Sequence, residues 1–194
     1  MTPTIPVVAP EHEFTVAGLI RRFARTLPDR EMLVAGEVRR SWLAEYQQAC
    51  QVGRACRRDG IGVGDRVAFL DRNGLPYFDL LFGGALIGAV NVAVNWRLAP
   101  NEMAAIIDDS AAPILVVHTD YLAALADMGS TLPAVRRIVV VSDDGAVGPW
   151  SDGRAVSFDQ WIDGCATTDP GHVGRARTSA CSSTRRGRRA SPKG

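Results

Sequence analysis

An α/β fold with a mostly parallel sheet and flanking helices is predicted by three features of the sequence. Apolar runs of about five residues alternate with segments of ten or more that read as helices. One of those runs, Arg66 to Leu70, is too continuous for a strand with a solvent-facing side, so it belongs in a sheet covered on both faces. Finally, the 194 residues are 46% apolar and 22% charged, with 19 Gly and 11 Pro, which excludes a disordered chain, a collagen or a disulfide miniprotein. That length suits one ordinary domain or a large part of a bigger one.

Taken in order, residues 14–27 place Phe14, Leu19, Ile20, Phe23 and Leu27 on an apolar stripe, with Arg21, Arg22 and Arg25 elsewhere. This predicts an amphipathic helix ended by Pro28. Met32 to Ala35 and Val38 to Trp42 flank Gly36-Glu37 and read as a short strand pair. Ser41 can cap a helix running to about Arg57. A turn at Gly60 to Asp65 leads into the Arg66–Leu70 strand. A helix from Leu75 to Ile87 follows, with Gly83-Gly84 allowing close packing, then a strand from Val90 to Val94. Pro100 opens a helix to Asp109, as Pro does in a first turn. Ile114 to His118 is a strand, Tyr121 to Met128 a helix and Arg137 to Val141 a strand. Asp143 to Gly153 is a polar loop, and Ser157 caps one or two helical turns to Ile162. There is no internal repeat.

Charge is unevenly distributed. Arg175, Arg177, Arg185, Arg186, Arg188, Arg189 and Lys193 give residues 171–194 seven cations and no acid, so a chain of net +1 leaves −6 on residues 1–170. Cys50, Cys56, Cys165 and Cys181 lack metal-ligand spacing, and His12, His118 and His172 are far apart, so no metal site is expected. The offset of six puts Cys50 and Cys56 on different faces of their helix, as core thiols. Residues 1–6 show no basic stretch before an apolar one, and the longest apolar run, Leu80 to Val90, is 11 residues. A membrane span needs about 20. A cytoplasmic chain in a reducing compartment is expected, without a leader or a membrane span.

Signature motifs for dinucleotides, P-loop triphosphates, zinc proteases and serine hydrolases are absent from the sequence. Ligands of parallel sheets bind at the carboxyl ends of strands, where Asp71, Asp108, Asp109 and Asp120 are the nearest acids. Asp71-Arg72-Asn73 is the best local candidate, although a polar turn capping the next helix is the favoured reading. Asn95-Trp96-Arg97 follows the next strand in the same way. Arg97 could meet a phosphate or a carboxylate, or brace Glu102.

Three stretches carry a resemblance. They are Gly64-Asp65-Arg66-Val67-Ala68-Phe69-Leu70-Asp71-Arg72-Asn73, the apolar helix ending in Gly88-Ala89-Val90, and Asn95-Trp96-Arg97-Leu98-Ala99-Pro100-Asn101-Glu102. With Ser41-Trp42-Leu43-Ala44-Glu45-Tyr46 and Ala111-Ala112-Pro113-Ile114-Leu115, they resemble, in one register over about residues 14–141, the opening of the adenylate-forming acyl-CoA synthetases. The resemblance implies a partial N-terminal domain of that fold over residues 14–170. It also implies a parent enzyme that activates a carboxylate, a fatty acid above all, with ATP and Mg2+ and then acylates coenzyme A. The family's phosphate loop resembles Tyr-Thr-Ser-Gly-Thr-Thr-Gly-x-Pro-Lys-Gly, and its metal, ribose and lysine motifs come later still.

That loop is present in another reading frame. One permitted set of codons for Ala176 to Gly194, read from the third base of each, gives Pro-Asp-Val-Cys-Leu-Gln-Leu-Tyr-Thr-Ser-Gly-Thr-Thr-Gly-Leu-Pro-Lys-Gly. If the family's usual Val-Met followed in that frame, a stop codon would fall immediately after Gly194. Residues 171–194 are therefore expected to be a basic, disordered, out-of-frame tail, with the phosphate loop displaced at about Ser183 to Gly194. Pro192-Lys193-Gly194 matches only through overlapping codons. The expected chain has no catalytic, cofactor or metal residue of its own, binds no ATP and is inactive. The competing expectation is a non-catalytic protein whose tail binds a polyanion or a partner through charge. The tail has no aromatic residue to stack on bases, so nucleic acid is not the expected partner.

Overall fold

The computed structural model describes residues 4–7, 9, 12–127, 132–143, 147 and 153–171. Helix α1 (Val16–Thr26) is started by Thr15, whose hydroxyl accepts the Gly18 N–H at 2.9 Å. The helix thus begins two residues later than its apolar stripe suggested. Phe14 is left 81% exposed, while Arg21 is buried at 2%. Strands β1 (Glu31–Ala35) and β2 (Val38–Ser41) form an antiparallel hairpin, and Ser41 then caps α2 (Trp42–Arg58). There follow β3 (Arg66–Leu70), α3 (Leu75–Ile87), β4 (Val90–Ala93), α4 (Pro100–Ser110), β5 (Ile114–His118), α5 (Thr119–Asp127) and β6 (Arg137–Val141). A short strand, β7 (Ala155–Ser157), precedes α6 (Phe158–Ile162) and is an addition to the expected elements. Most of the Asp143–Gly153 loop, and the tail from residue 172, lie outside the described residues.

Strands β3 to β7 make one sheet in the order β4-β3-β5-β6-β7, every neighbouring pair parallel. Side chains alternate across it, as the two-residue period of a strand requires. Val67, Phe69, Ile114, Val116 and Val139 face α2, α3 and α6. Ala68, Leu70, Leu115, Val117, Ile138 and Val140 face α4 and α5. The central strands are therefore apolar on both faces. Beyond α2 and α3 lies a further layer in which Ala17, Ile20 and Ala24 of α1 meet Tyr46, Ala49, Cys50 and Leu86. Cys50 sits in this outer cluster and Cys56 in the cluster under the sheet, so the two thiols do occupy different faces of α2.

Helices α2 and α3 approach closely because Gly53 and Gly83 face each other. A Cβ on Gly83 would lie 2.9 Å from the Ala49 carbonyl oxygen and 2.8 Å from Val52, and one on Gly53 would lie 2.9 Å from the Gly83 carbonyl oxygen. Gly84, by contrast, meets nothing closer than 3.9 Å, so Gly83 alone of the pair serves the packing.

The polar side of α2 holds down the segment that follows α6. Gln51 donates to the Cys165 carbonyl at 3.1 Å, Arg54 to the Thr168 carbonyl at 3.0 Å and the Asp169 carbonyl at 3.1 Å, and Arg57 to the Pro170 carbonyl. Asp169 plugs in between α1 and α2. Its carboxylate accepts two hydrogen bonds from Arg21, at 2.7 and 3.0 Å, one from the Tyr46 hydroxyl at 2.7 Å and one from the Gly171 N–H at 2.6 Å. Burial works to raise this carboxyl, but the Arg21 and Tyr46 hydrogen bonds outweigh it and hold it below the usual carboxylate range. Among the described residues, no helix is long and apolar enough to cross a membrane.

Two stability outcomes are expected, each measurable by urea denaturation. Asp169→Ala leaves Arg21 buried with its main partner gone and is expected to cost about 3–5 kcal/mol. Gly83→Ala forces a methyl against backbone, which cannot swing aside, and is expected to cost about 1–3 kcal/mol.

Candidate functional site

The carboxyl ends of β3, β4 and β5 lie side by side, and the chain leaves β3 and β5 toward opposite faces of the sheet. That divergence opens a crevice where parallel sheets hold ligands. Asp71-Arg72-Asn73 follows β3, Asn95-Trp96-Arg97 follows β4, and His118 ends β5 with Asp120 just beyond. The first two loops, far apart in sequence, line one cleft of ≈ 470 Å³ together with Phe69, Tyr77 and Val94.

Cation and aromatic groups dominate its rim. The Arg97 guanidinium lies 4.1 Å from the centre of the Trp96 ring, and that of Arg72 lies 5.2 Å from the same ring. Asn95 turns the loop by accepting the Arg97 N–H at 3.0 Å. Trp96 also leans on Tyr121 of α5, with ring centres 6.3 Å apart, which ties the loop to the opposite face of the sheet. Arg97 does not brace Glu102. The Glu102 carboxylate instead accepts the Ala99 N–H at 3.1 Å, the N3-to-N-cap half of a capping box at the start of α4, whose other half Ala99 has no side-chain acceptor to make.

Asp71 behaves as the polar-turn reading expects, accepting the N–H of Arg72 at 2.6 Å. Burial pushes its carboxyl up from the usual range, with that N–H pulling the other way. Asp120 lies 3.8 Å from Arg72 and 3.5 Å from His118 Nδ1. That nitrogen also accepts the Asp120 N–H at 3.2 Å. Asp108 and Asp109 play no part in the cleft. They end α4, and a helix joining parallel strands runs back along the sheet, so its last turn sits at the amino ends of the strands.

His12 and His118 are not brought together, and His172 lies outside the described residues. Among the described residues, no group of three His, Cys, Asp or Glu could hold a metal ion. Sequence reasoning passed over two buried clusters. One is Arg21–Tyr46–Asp169; the other joins Arg40, Glu45 and Asp79.

An exposed cation over an exposed loop contributes little to folding. Arg97→Ala is expected to lower stability by less than about 1 kcal/mol. Thermal denaturation checks this, and a small effect would leave the variant usable for binding measurements.

The chain resembles known ligases in sequence and in fold. It is 34% identical over 116 residues to the 3-hydroxybenzoate–CoA/4-hydroxybenzoate–CoA ligase of Thauera aromatica, covering 60% of this chain and 21% of that protein. It is 30% identical over 147 residues to the long-chain-fatty-acid–CoA ligase of Thermus thermophilus, covering 74% of this chain and 27% of that protein. The structure superposes on an anthranilate CoA ligase solved in complex with anthranoyl-AMP, with a TM-score of 0.78 and 24% identity, over 89% of this chain and 32% of the other; this likeness establishes the fold. The chain spans less than a third of the length of each of these proteins. Residues 20–177 match the AMP-binding enzyme family, and this chain belongs to that family.

Proposed function

We propose that residues 14–170 are the N-terminal subdomain of an ATP-dependent carboxylate–CoA ligase, that the substrate of the intact enzyme is a fatty or other apolar carboxylate, and that these 194 residues by themselves activate none. The observation that carries this is the extent of the family match. It runs from residue 20 to residue 177 and stops a few residues short of Ser183, near which the alternate frame begins to spell the phosphate loop. In the frame given, that stretch reads Thr184-Arg185-Arg186-Gly187-Arg188-Arg189.

A phosphate loop works by aiming successive backbone N–H groups and hydroxyls at phosphate oxygens, which requires small residues that let the backbone come close. Arginines attract ATP through charge alone and fill the space the phosphates need. Residues 171–194 are accordingly assigned as a basic out-of-frame tail, with no catalytic, nucleotide or metal role. ATP, Mg2+ and coenzyme A belong to the intact enzyme. Of its ligands, the described residues suit one feature, a phosphate-bearing group. Arg72 and Arg97 present cations, and Trp96 an aromatic face, on an open cleft at the carboxyl ends of the strands.

The substrate class follows from the relatives, whose names divide between aromatic and aliphatic acids. Both are apolar bodies carrying one carboxylate. The fatty-acid assignment is favoured by the longer alignment, over 147 residues against 116.

ATP–pyrophosphate exchange with a panel from acetate to stearate, benzoate included, is expected to give no signal above blank for the 194-residue chain. A gene read in the alternate frame from about codon 175 and continued downstream is expected to give exchange, strongest with a long-chain acid. Near attack geometry can contribute about 7–11 kcal/mol to such a reaction, and only a formed cradle supplies it. Exchange by the short chain would overturn the inactivity. A soluble restored protein without exchange on any acid would overturn the ligase reading, and a preference for benzoate would overturn the fatty-acid assignment.

A further inference from the structure

Glu45 of α2 and Asp79 of α3 are withdrawn from solvent, at 0% and 1% exposure. One cation serves both. Arg40, at the end of the hairpin, donates through a single nitrogen to Glu45 Oε2 at 3.1 Å and to Asp79 Oδ1. A single guanidinium compensates one negative charge, and a second ionised carboxylate in the same buried place would stand uncompensated.

The hydrogen bonds lead to the same place independently. Glu45 Oε1 is buried and receives no hydrogen bond from any N–H or hydroxyl. The Glu45 and Asp79 carboxyls are brought together on one Arg40 nitrogen. Ionised carboxylates only accept, so neither can donate to the other's oxygens unless one of the two is protonated. A proton on one of them removes the excess charge and supplies a donor in a place that lacks one.

The cavity beside Asp79 adds no second cation among the described residues. Arg40 and Asp79 form one wall of a ≈ 200 Å³ cavity whose other polar members are Gln48 of α2, Ser142 after β6, Ser157 of β7 and Asp159 of α6. Arg40 is the one cation in that lining, and Asp159 adds negative charge.

We infer that Glu45 and Asp79 share one proton at neutral pH, and that this proton together with Arg40 is a latch between the hairpin, α2 and α3 which opens as pH rises. The latch acts on the candidate cleft through α3. Asp79 lies two residues beyond Tyr77, which lines the cleft, and one turn beyond the loop that carries Asp71 and Arg72.

The direction of the pH effect follows from linkage. Burial raises both carboxyls, and for Asp79 repulsion from Glu45 adds to it against the pull of Arg40, bringing Asp79 up to about 8. In the unfolded chain both groups titrate near the ordinary value of about 4. Between those limits the folded state holds a proton that the unfolded chain has released. Unfolding therefore releases a proton, and stability declines as pH rises from about 4 toward about 8, then levels off. Asp169 contributes in the opposite sense, and at more acid pH, because its carboxyl is held low.

The test compares the 194-residue chain with Asp79→Asn, which keeps the shape and donates an N–H where the acid donated its proton. From about pH 5 to 8, the unfolding constant of the wild type relative to the variant is expected to rise close to tenfold per pH unit. The infrared C=O band of a protonated carboxyl, present in the wild type at neutral pH, is expected to weaken in the variant. Parallel pH profiles would mean that both carboxyls are ionised and would overturn the latch. Glu45→Gln makes the same comparison from the other side if Asp79→Asn does not fold. In either event, absence of the protonated band from the wild type at neutral pH overturns it.

Discussion

The structure depends on helix α2 being packed on most of its circumference. Most helices of a three-layer α/β unit have one face on the sheet and one in water. Here α1 covers the outer side of α2 through Tyr46, Ala49 and Cys50, the sheet cluster takes Val52, Ala55 and Cys56, and α3 closes on it at Gly53. Gln51, Arg54, Arg57 and Arg58 point to the remaining side, where the segment after α6 lies across them. The helix is amphipathic, but its polar face meets backbone carbonyls of its own chain as well as water. Those carbonyls belong to the last turn of α6 and to the segment without regular structure after it, which have no ladder of their own to satisfy them. Arginines supply the missing donors.

Such an arrangement makes the end of the ordered body a consequence of the middle of the sequence. Asp169 is 148 residues from Arg21, and the two meet because α1 and α2 leave a polar slot between them. The slot fixes the direction in which the chain departs toward residue 172. An apolar plug would fill the slot equally well but would leave Arg21 and Tyr46 without partners, so the charge is specified by the slot as much as by the segment.

The sheet was legible in the sequence for a simple physical reason. Strands buried on both faces must be apolar at every position, and Ile114-Leu115-Val116-Val117 and Arg66-Val67-Ala68-Phe69-Leu70 have no other use for such runs. Strand β7 was illegible because Ala-Val-Ser is too short to carry a pattern; it exists through its pairing with β6. The start of α1 was misplaced because periodicity was allowed to outrank the cap, although Thr15 offered the better signal. The two loops were legible as strand ends because apolar runs stop at Asp71 and shortly before Asn95; that they line one cleft emerges only when β3 and β4 pair. Buried ions could not be found at all. A charge inside an apolar pattern reads as exposed until its partner is known, and Asp169, the partner of Arg21, and Asp79, which joins Arg40 and Glu45, lie 148 residues from Arg21 and 39 from Arg40.

Arg21 and Arg40 also show why two similar-looking buried arginines have opposite consequences. Arg21 meets one carboxylate that also accepts from a tyrosine and a backbone N–H, so every hydrogen bond favours the ionised acid. Arg40 meets two carboxyls and can neutralise one, so hydrogen bonding and charge both favour a proton on the other. The first cluster is strongest where acids are ionised and fails in acid. The second contributes most where the unfolded chain also keeps the proton and loosens as pH rises from about 4 toward about 8. Because α2 carries a member of each, Tyr46 in one and Glu45 in the next position, a single turn of helix is held by two devices of opposite pH sense. The body of the protein is therefore bracketed between them. Their combined contribution is greatest near the ordinary carboxylate value of about 4, falling on the acid side as Asp169 gains a proton and on the other side as pH rises toward about 8.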